Sequence, residues 1–176
     1  MTRLSELEAC VLALIWADGP ATPYAVRQVF LKSPSPQWSG SAGAIYPLIE
    51  RLERRELIRS VPHSTGDRQA RLFSLAPAGR RALKRWLDPD IPAWVAGVPP
   101  DPLRTRIRFL GAVPVEAQRE FLAAARREVD EHLRIMLRDY KSRREKGGFE
   151  YWMARGALMA MRARRAWLSE MTKTLG

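Results

Sequence analysis

One cysteine, two histidines and no long apolar run leave this 176-residue chain without the usual covalent, metallic and membrane devices. A lone Cys10 forbids an internal disulfide and suits a reducing compartment. His63 and His132 are too few and too far apart for zinc-ligand spacing. The longest apolar run, Ala9 to Ala17 (ACVLALIWA), is about half of what a membrane span requires. No charged-then-apolar leader with a cleavage site precedes it, so a cytoplasmic protein is expected. Also missing are a Ser-His-acid grouping, a glycine loop for phosphates and a paired-carboxylate motif, so neither an enzyme nor a cofactor is expected. Acidic residues are scarce beside basic ones, 19 against 30, and the net charge of +11 favours a polyanionic partner. The excess is spread along the chain. Residues 1–90 hold thirteen basic and nine acidic residues, a net of +4, and residues 91–176 hold seventeen and ten, a net of +7, so charge alone does not locate a nucleic-acid site. With 46% hydrophobic and 28% charged residues, the composition is globular rather than disordered.

What is present is concentrated in residues 41–58, SAGAIYPLIERLERRELI. Ile45, Leu48, Ile49 and Leu52 recur at three- and four-residue spacing and mark the buried side of an amphipathic helix. The opposite side holds Ala44, Pro47, Arg51 and Arg54. Small residues there allow a close approach to a partner, and two arginines one turn apart can fork onto phosphates or guanine edges. Pro47 has no N–H for Gly43, so the first turn should be irregular. Downstream, Leu57, Ile58 and Val61 read as a strand, Pro62 to Ala70 (PHSTGDRQA) as a polar turn with Gly66-Asp67 near its tip, and Leu72, Phe73 and Leu75 as the return strand. Arg68 and Arg71 flank the turn. A helix followed at once by a basic hairpin is the order of a winged helix-turn-helix, whose helix enters the major groove while the hairpin reaches backbone or minor groove.

Around this core the pattern places a helix at about Ser5 to Ala17, with Leu4, Leu7, Val11, Leu14 and Ile15 on one face, and a second at Pro23 to Leu31. Cys10 lies beside the first apolar stripe, where burial is the better reading than redox sensing. Ser33-Pro34-Ser35-Pro36 reads as a stiff, non-helical connection, and Ala78 to Leu87 as a closing helix. The stretch 88–102, DPDIPAWVAGVPPDP, contains five prolines and marks a boundary. The expected domains are a winged domain at 1–88, a linker at 89–102 and a helical domain at 103–176. The last contains helices at about Leu103–Gly111, Pro114–Lys146 and Phe149–Leu175, with Gly147-Gly148 as a break. Leu122, Ala125, Val129, Leu133, Met136 and Tyr140 form a narrow seam on the long helix, and Met153, Gly156, Ala160, Ala163, Trp167 and Met171 a stripe on the last. With no further chain to cover them, the two stripes point to a homodimer.

The run Tyr46-Pro47-Leu48-Ile49-Glu50-Arg51-Leu52-Glu53 resembles the recognition helix of PadR-type transcriptional regulators. Trp38-Ser39 before it, Leu57-Ile58 after it and Leu72-Phe73-Ser74-Leu75-Ala76-Pro77-Ala78-Gly79-Arg80 are similar to that family's flanking, wing and following-helix segments. The resemblance covers residues 5–87, and residues 101–173 resemble the helical tail of the longer, virulence-activator-like branch. It departs from the family at Thr22-Pro23-Tyr24, where a histidine-glycine pair is usual before the tyrosine; at Ala76, where a capping threonine is common; and at Ala44, where a polar residue is common. Thr22 and Pro23 can still start a helix by different chemistry, whereas Ala76 gives up roughly 1 kcal/mol of capping.

The resemblance implies a mainly α fold with a small β-hairpin, a winged domain followed by a helical dimerisation domain. It also implies a ligand-responsive repressor that binds a pseudo-palindromic operator as a homodimer. The expected DNA contacts are Tyr24, Ser39, Ser41, Ala44, Tyr46, Pro47, Arg51, Arg54, Arg68 and Arg71. Glu50 and Glu53 are placed to pair with Arg54 and neighbouring cations. The expected dimer contacts are Leu122, Val129, Leu133, Met136, Tyr140, Gly156, Ala160, Ala163 and Trp167. PadR-like regulators sense small aromatic compounds, some through tryptophans, which makes Trp94, Trp152 and Trp167 candidates to line an effector pocket. Packing is the plainer reading of each. A winged-helix protein-interaction module and a sequence-nonspecific architectural DNA binder are the alternatives.

Overall fold

The structure, a computed structural model, describes residues 3–65 and 68–175 and gives the backbone alone for residues 62–65, 68–70, 146 and 175. The chain divides into two compact units, Met1–Ala96 and Gly97–Gly176. Residues 89–96 of the proline-rich stretch, with Trp94, thus lie in the first.

In the first unit, α1 (Glu6–Ala17) begins with a capping box: Glu8 N–H donates to Ser5 Oγ at 3.3 Å and Ser5 N–H to Glu8 Oε2 at 2.9 Å. The buried stripe is Ala9, Val11, Leu12 and Ile15, whereas Leu4, Leu7 and Leu14 of the expected face are only half-buried. Helix α2 (Pro23–Leu31) is capped by Thr22, whose Oγ1 accepts from Ala25 N–H at 3.1 Å, and Pro23 occupies the first turn. The connection expected to be non-helical folds into a short α3 (Pro36–Gly40), because Pro36 sits in the first turn, where its missing N–H costs nothing. A 3₁₀ turn, Ser41–Ala44, leads into α4 (Ile45–Arg54). Pro47 accounts for that sequence: with no N–H to continue an α-turn back to Gly43, the regular helix starts only at Ile45.

Helix α4 ends without the glycine that usually marks a stop. Leu57 N–H donates to Leu52 O at 3.0 Å and Glu56 N–H to Glu53 O at 2.8 Å, the paired bonds of a Schellman motif, and Glu56 takes the left-handed position at φ 56°. A glycine normally marks this stop; here a glutamate bears the strain.

Strands β1 (Ile58–Thr65) and β2 (Arg68–Leu75) pair antiparallel, with Ile58 opposite Leu75 and Thr65 opposite Arg68. The polar stretch Pro62–Ala70 expected as a loop is therefore mostly strand, since the ladder's backbone bonds do not require apolar side chains. The expected Gly66-Asp67 tip lies outside the described residues. Ala21 adds a third edge, exchanging bonds with Phe73 at 2.9 and 3.0 Å. Helix α5 (Pro77–Trp86) closes the unit at a tight contact, where a Cβ on Gly79 would lie 2.0 Å from Leu57 O. The core gathers Val11, Leu12, Ile15, Val26, Phe30, Ile45, Leu48, Ile49, Leu52, Ile58, Phe73 and Leu83. A helical turn, α6 (Ala93–Ala96), interrupts the stretch expected to be irregular.

In the second unit, α7 (Pro102–Arg108) is capped by Asp101, and a 3₁₀ turn at Leu110–Ala112 follows. Helices α8 (Val115–Lys146) and α9 (Gly148–Leu175) form an antiparallel hairpin, turning where Gly147 and Gly148 adopt φ 71° and 61°. Arg143–Glu150 at 3.0 Å and Arg165–Asp130 at 2.6 Å tie the helices along their length. Leu122 and Val129, expected to await a second chain, are buried against Leu168 of the same chain, with Phe121, Met161 and Trp167 packed around them. That part of the seam is closed internally because α9 folds back over it. No described helix is long and apolar enough to cross a membrane.

Two substitutions test this backbone reading. Gly79→Ala forces Cβ into Leu57 O and should cost on the order of 2–4 kcal/mol in urea unfolding. Glu56→Gly relieves the left-handed strain and should stabilise by about 0.5–1 kcal/mol. A neutral Gly79→Ala or a destabilising Glu56→Gly would contradict the α4–β1–α5 geometry.

Candidate nucleic-acid interface

The apolar residues of α4 are buried, and the opposite side is open: Ala44, Tyr46, Pro47, Glu50 and Arg54 are exposed. Tyr24, at the first turn of α2, is 61% exposed and stands on the surface rather than at a core edge. Ser39 and Ser41 are half-buried, and each spends its hydroxyl proton locally, Ser39 Oγ on Pro36 O at 3.3 Å and Ser41 Oγ on Gln37 O at 2.8 Å. They remain acceptors, and they act first as braces of the turn between α3 and α4.

The arginines expected to face a polyanion divide into two groups. Arg51 does not point freely outward as expected: its Nε donates to Glu8 Oε1 at 3.3 Å, with half of its side chain still exposed. Arg55 donates through Nη1 to the same oxygen at 2.8 Å. Arg71, on β2, forms an ion pair with Glu53 of α4, donates to Ser60 Oγ at 2.8 Å, and lies over the Phe73 ring at 5.1 Å. Glu53 thus reaches across to the wing instead of pairing with Arg54 along the helix. Arg54 is exposed and has no hydrogen bond or ion pair among the described residues, so it is the cation of α4 at liberty to meet a phosphate or base. The Arg68 side chain lies outside the described residues.

Sequence reasoning missed Glu8, and the available signal was the capping spacing of Ser5 and Glu8. It is the buried charged residue of the described chain, with its side chain 8% exposed. Burial alone would raise its pKa, but Ser5 N–H, Arg55 and Arg51 together outweigh that and hold the carboxyl below the usual carboxylate range. Its placement also suits the helix dipoles, since the carboxylate sits at the positive end of α1 and Arg51 and Arg55 at the negative end of α4.

Cys10 is half-buried, and burial followed by the charge of Glu6 pushes its thiol up to about 11, which makes it a poor nucleophile near neutrality. Of the three tryptophans singled out, Trp94 belongs to the first unit and Trp152 and Trp167 to the second. Trp152 and Trp167 are fifteen residues apart on α9, roughly 22 Å along its axis, which is too far for one small molecule within a chain. Trp152 is exposed and flanked by Tyr151 and Arg155, while Trp167 packs on the α8–α9 core. In the first unit, Trp94 lines an open cleft of about 520 Å³ with Trp86, Leu87, Ile91, Arg3 and Arg85. There Trp86 Nε1 donates to Glu6 at 3.0 Å, and the Arg3 guanidinium lies 5.7 Å from the Trp94 ring.

Residues 11–85, which span α2, α4, both strands and most of α1 and α5, match the profile of the transcriptional regulator PadR-like family. They form a PadR-like domain. The likeness of fold runs beyond that domain. Bacillus subtilis PadR in complex with operator DNA superposes with a TM-score of 0.83 at 17% identity, covering 98% of this chain and 100% of that one. The same protein in complex with p-coumaric acid gives 0.76 at 16%, covering 96% and 94%. The Vibrio cholerae virulence activator AphA gives 0.71 at 17%, covering 97% and 98%. At these identities the likeness is one of fold. No curated protein matches the sequence significantly. In the PadR-like domain here, α4 is the helix after the α2–α3 turn, and β1 and β2 are the wing.

The Glu8 cluster predicts a pH signature. A carboxyl with a depressed folded-state pKa contributes stability that is present above its unfolded value, near 4.5, and is lost as pH falls through the lower folded value. Wild type should therefore exceed Glu8→Gln by on the order of 1–3 kcal/mol from about pH 8 to 5, with the gap closing in acid below that. Urea unfolding across that range checks it, and a gap that widens in acid would refute the ion cluster.

Proposed function

We propose that the protein is a homodimeric, sequence-specific DNA-binding transcriptional repressor that occupies a pseudo-palindromic operator through two PadR-like domains and responds to a small aromatic effector. The observation that carries this reading is the open face of α4, where Ala44, Tyr46, Pro47 and Arg54, which has no partner among the described residues, lie together above a buried apolar side. A helix of this kind can bring its backbone close to the groove wall while one guanidinium forks onto a base edge. Arg71, tied to Glu53, sets the wing beside that helix, and Tyr24 adds a phenol to the same task of meeting phosphates. That a protein of the same fold is solved with operator DNA supports the assignment.

Dimerisation is assigned to the outer side of α9, not to the whole seam of α8. Phe149, Trp152 and Met153 are exposed there, and Gly156, Ala160 and Ala163 continue the same side with side chains small enough for a second helix to approach. Leu133, Met136 and Tyr140 of α8 are half-buried and lie beyond the part closed by Leu168. The effector is assigned to the Trp86–Trp94 cleft, which two indoles line beside apolar side chains. A related fold that holds p-coumaric acid supports an aromatic ligand.

The test is selection of a duplex from random DNA, followed by affinity and sedimentation measurements. Wild type should select a palindrome and bind it as a dimer. Arg54→Ala should lose about tenfold or more on that site and much less on random DNA. Failure to select any symmetric site, or an Arg54→Ala variant of undiminished affinity, would overturn the reading.

A further inference from the structure

Glu8 lies off the exposed face of α4 and is buried away from solvent, yet it holds Arg51 of that helix and Arg55 at its C-cap. Its carboxylate accepts from Ser5 N–H at 2.9 Å, Arg55 Nη1 at 2.8 Å and Arg51 Nε at 3.3 Å, and so joins the first turn of α1 to the last turn of α4. Apolar packing through Ile45, Leu48, Ile49 and Leu52 sets how deeply α4 is seated, but such packing is non-directional and tolerates rotation of a helix about its axis. Charge-assisted bonds from two guanidiniums one turn apart do not tolerate it. The effect is largest at the end of α4 that carries Arg54, a cation exposed and without a partner among the described residues.

We propose that Glu8 is a positioning residue for operator recognition: by clamping Arg51 and Arg55 it fixes the rotation at which α4 presents Tyr46, Pro47 and Arg54, and Arg51 serves specificity through Glu8 rather than by reading a base. This rests on the DNA-binding reading above. It differs in sign from the other role a buried carboxylate could take here, that of an internal anion competing with DNA for Arg51. Loss of the charge weakens specific binding if Glu8 positions the helix and strengthens it if Glu8 competes.

The experiment takes the full chain, the palindrome selected for wild type and a random duplex at one salt concentration. If wild type prefers no duplex, the DNA-binding reading fails and this inference falls with it. Given a preferred site, Glu8→Gln should lower specific affinity by about tenfold while random-duplex affinity changes by less than about twofold. Arg51→Met, which keeps the aliphatic stem, should show the same loss, and the double variant should be no weaker than either single one, because both remove one interaction. Hydrogen exchange of the α4 amides should quicken in both variants while that of α2 stays unchanged. An unchanged or raised specific-to-random ratio in Glu8→Gln overturns the proposal, as does an Arg51→Met loss that adds in full to it. Should Glu8→Gln not fold, Arg55→Met takes its place, since Arg55 donates to the same Glu8 oxygen as Arg51 and its loss opens the clamp; retention of full specificity by that variant overturns the proposal equally.

Discussion

A buried carboxylate between two helices governs how this domain presents itself. Glu8 accepts bonds from the start of α1 and from both Arg51 and Arg55 at the end of α4, so the first helix and the exposed helix cannot shift independently. Burying a charge is expensive, and here three donors and two opposed helix dipoles offset the cost. The arrangement also engages several of the arginines where DNA contact is proposed. Arg51 and Arg55 answer Glu8, and Arg71 answers Glu53. The net charge of +11 is therefore a poor guide to the site, because guanidiniums that build the fold are counted equally with those, such as Arg54, that have no partner among the described residues.

Residues whose role follows from spacing were legible in the sequence. The apolar face of α4 was readable from its period, α2 from the Thr22-Pro23 start, and the hairpin from its apolar ends. What was not legible depends on partners distant in sequence or on unusual backbone. The stop of α4 was hidden because Glu56, not glycine, takes the left-handed position, so no residue signals where the helix yields to the strand read from Leu57. The polar half of each wing strand was hidden because a ladder stabilised by backbone bonds needs no apolar alternation. Arg51 looked free because its partner lies 43 residues away.

The second unit teaches the same lesson for packing. Leu122 and Val129 repeat like a coiled-coil seam, and periodicity cannot say whether the covering helix belongs to the same chain. The Gly147-Gly148 turn answers it by sending α9 back along α8, so that Leu168 fills the seam. The apolar surface left over is the opposite side of α9, with Phe149, Trp152 and Met153. Trp94 lines a cleft together with Trp86, which sequence spacing did not pair with it.

The central claim is that two α4 helices enter successive major grooves through the side bearing Tyr46. It is tested most directly by attaching an iron chelate that cleaves DNA to a Tyr46→Cys variant. Cys10, half-buried with its thiol pushed up to about 11, leaves the new cysteine as the reactive one. On the selected operator, cleavage should fall in two symmetric clusters centred about one helical turn, roughly 10 base pairs, apart. A single cluster, or cleavage spread evenly along the duplex, would contradict the account.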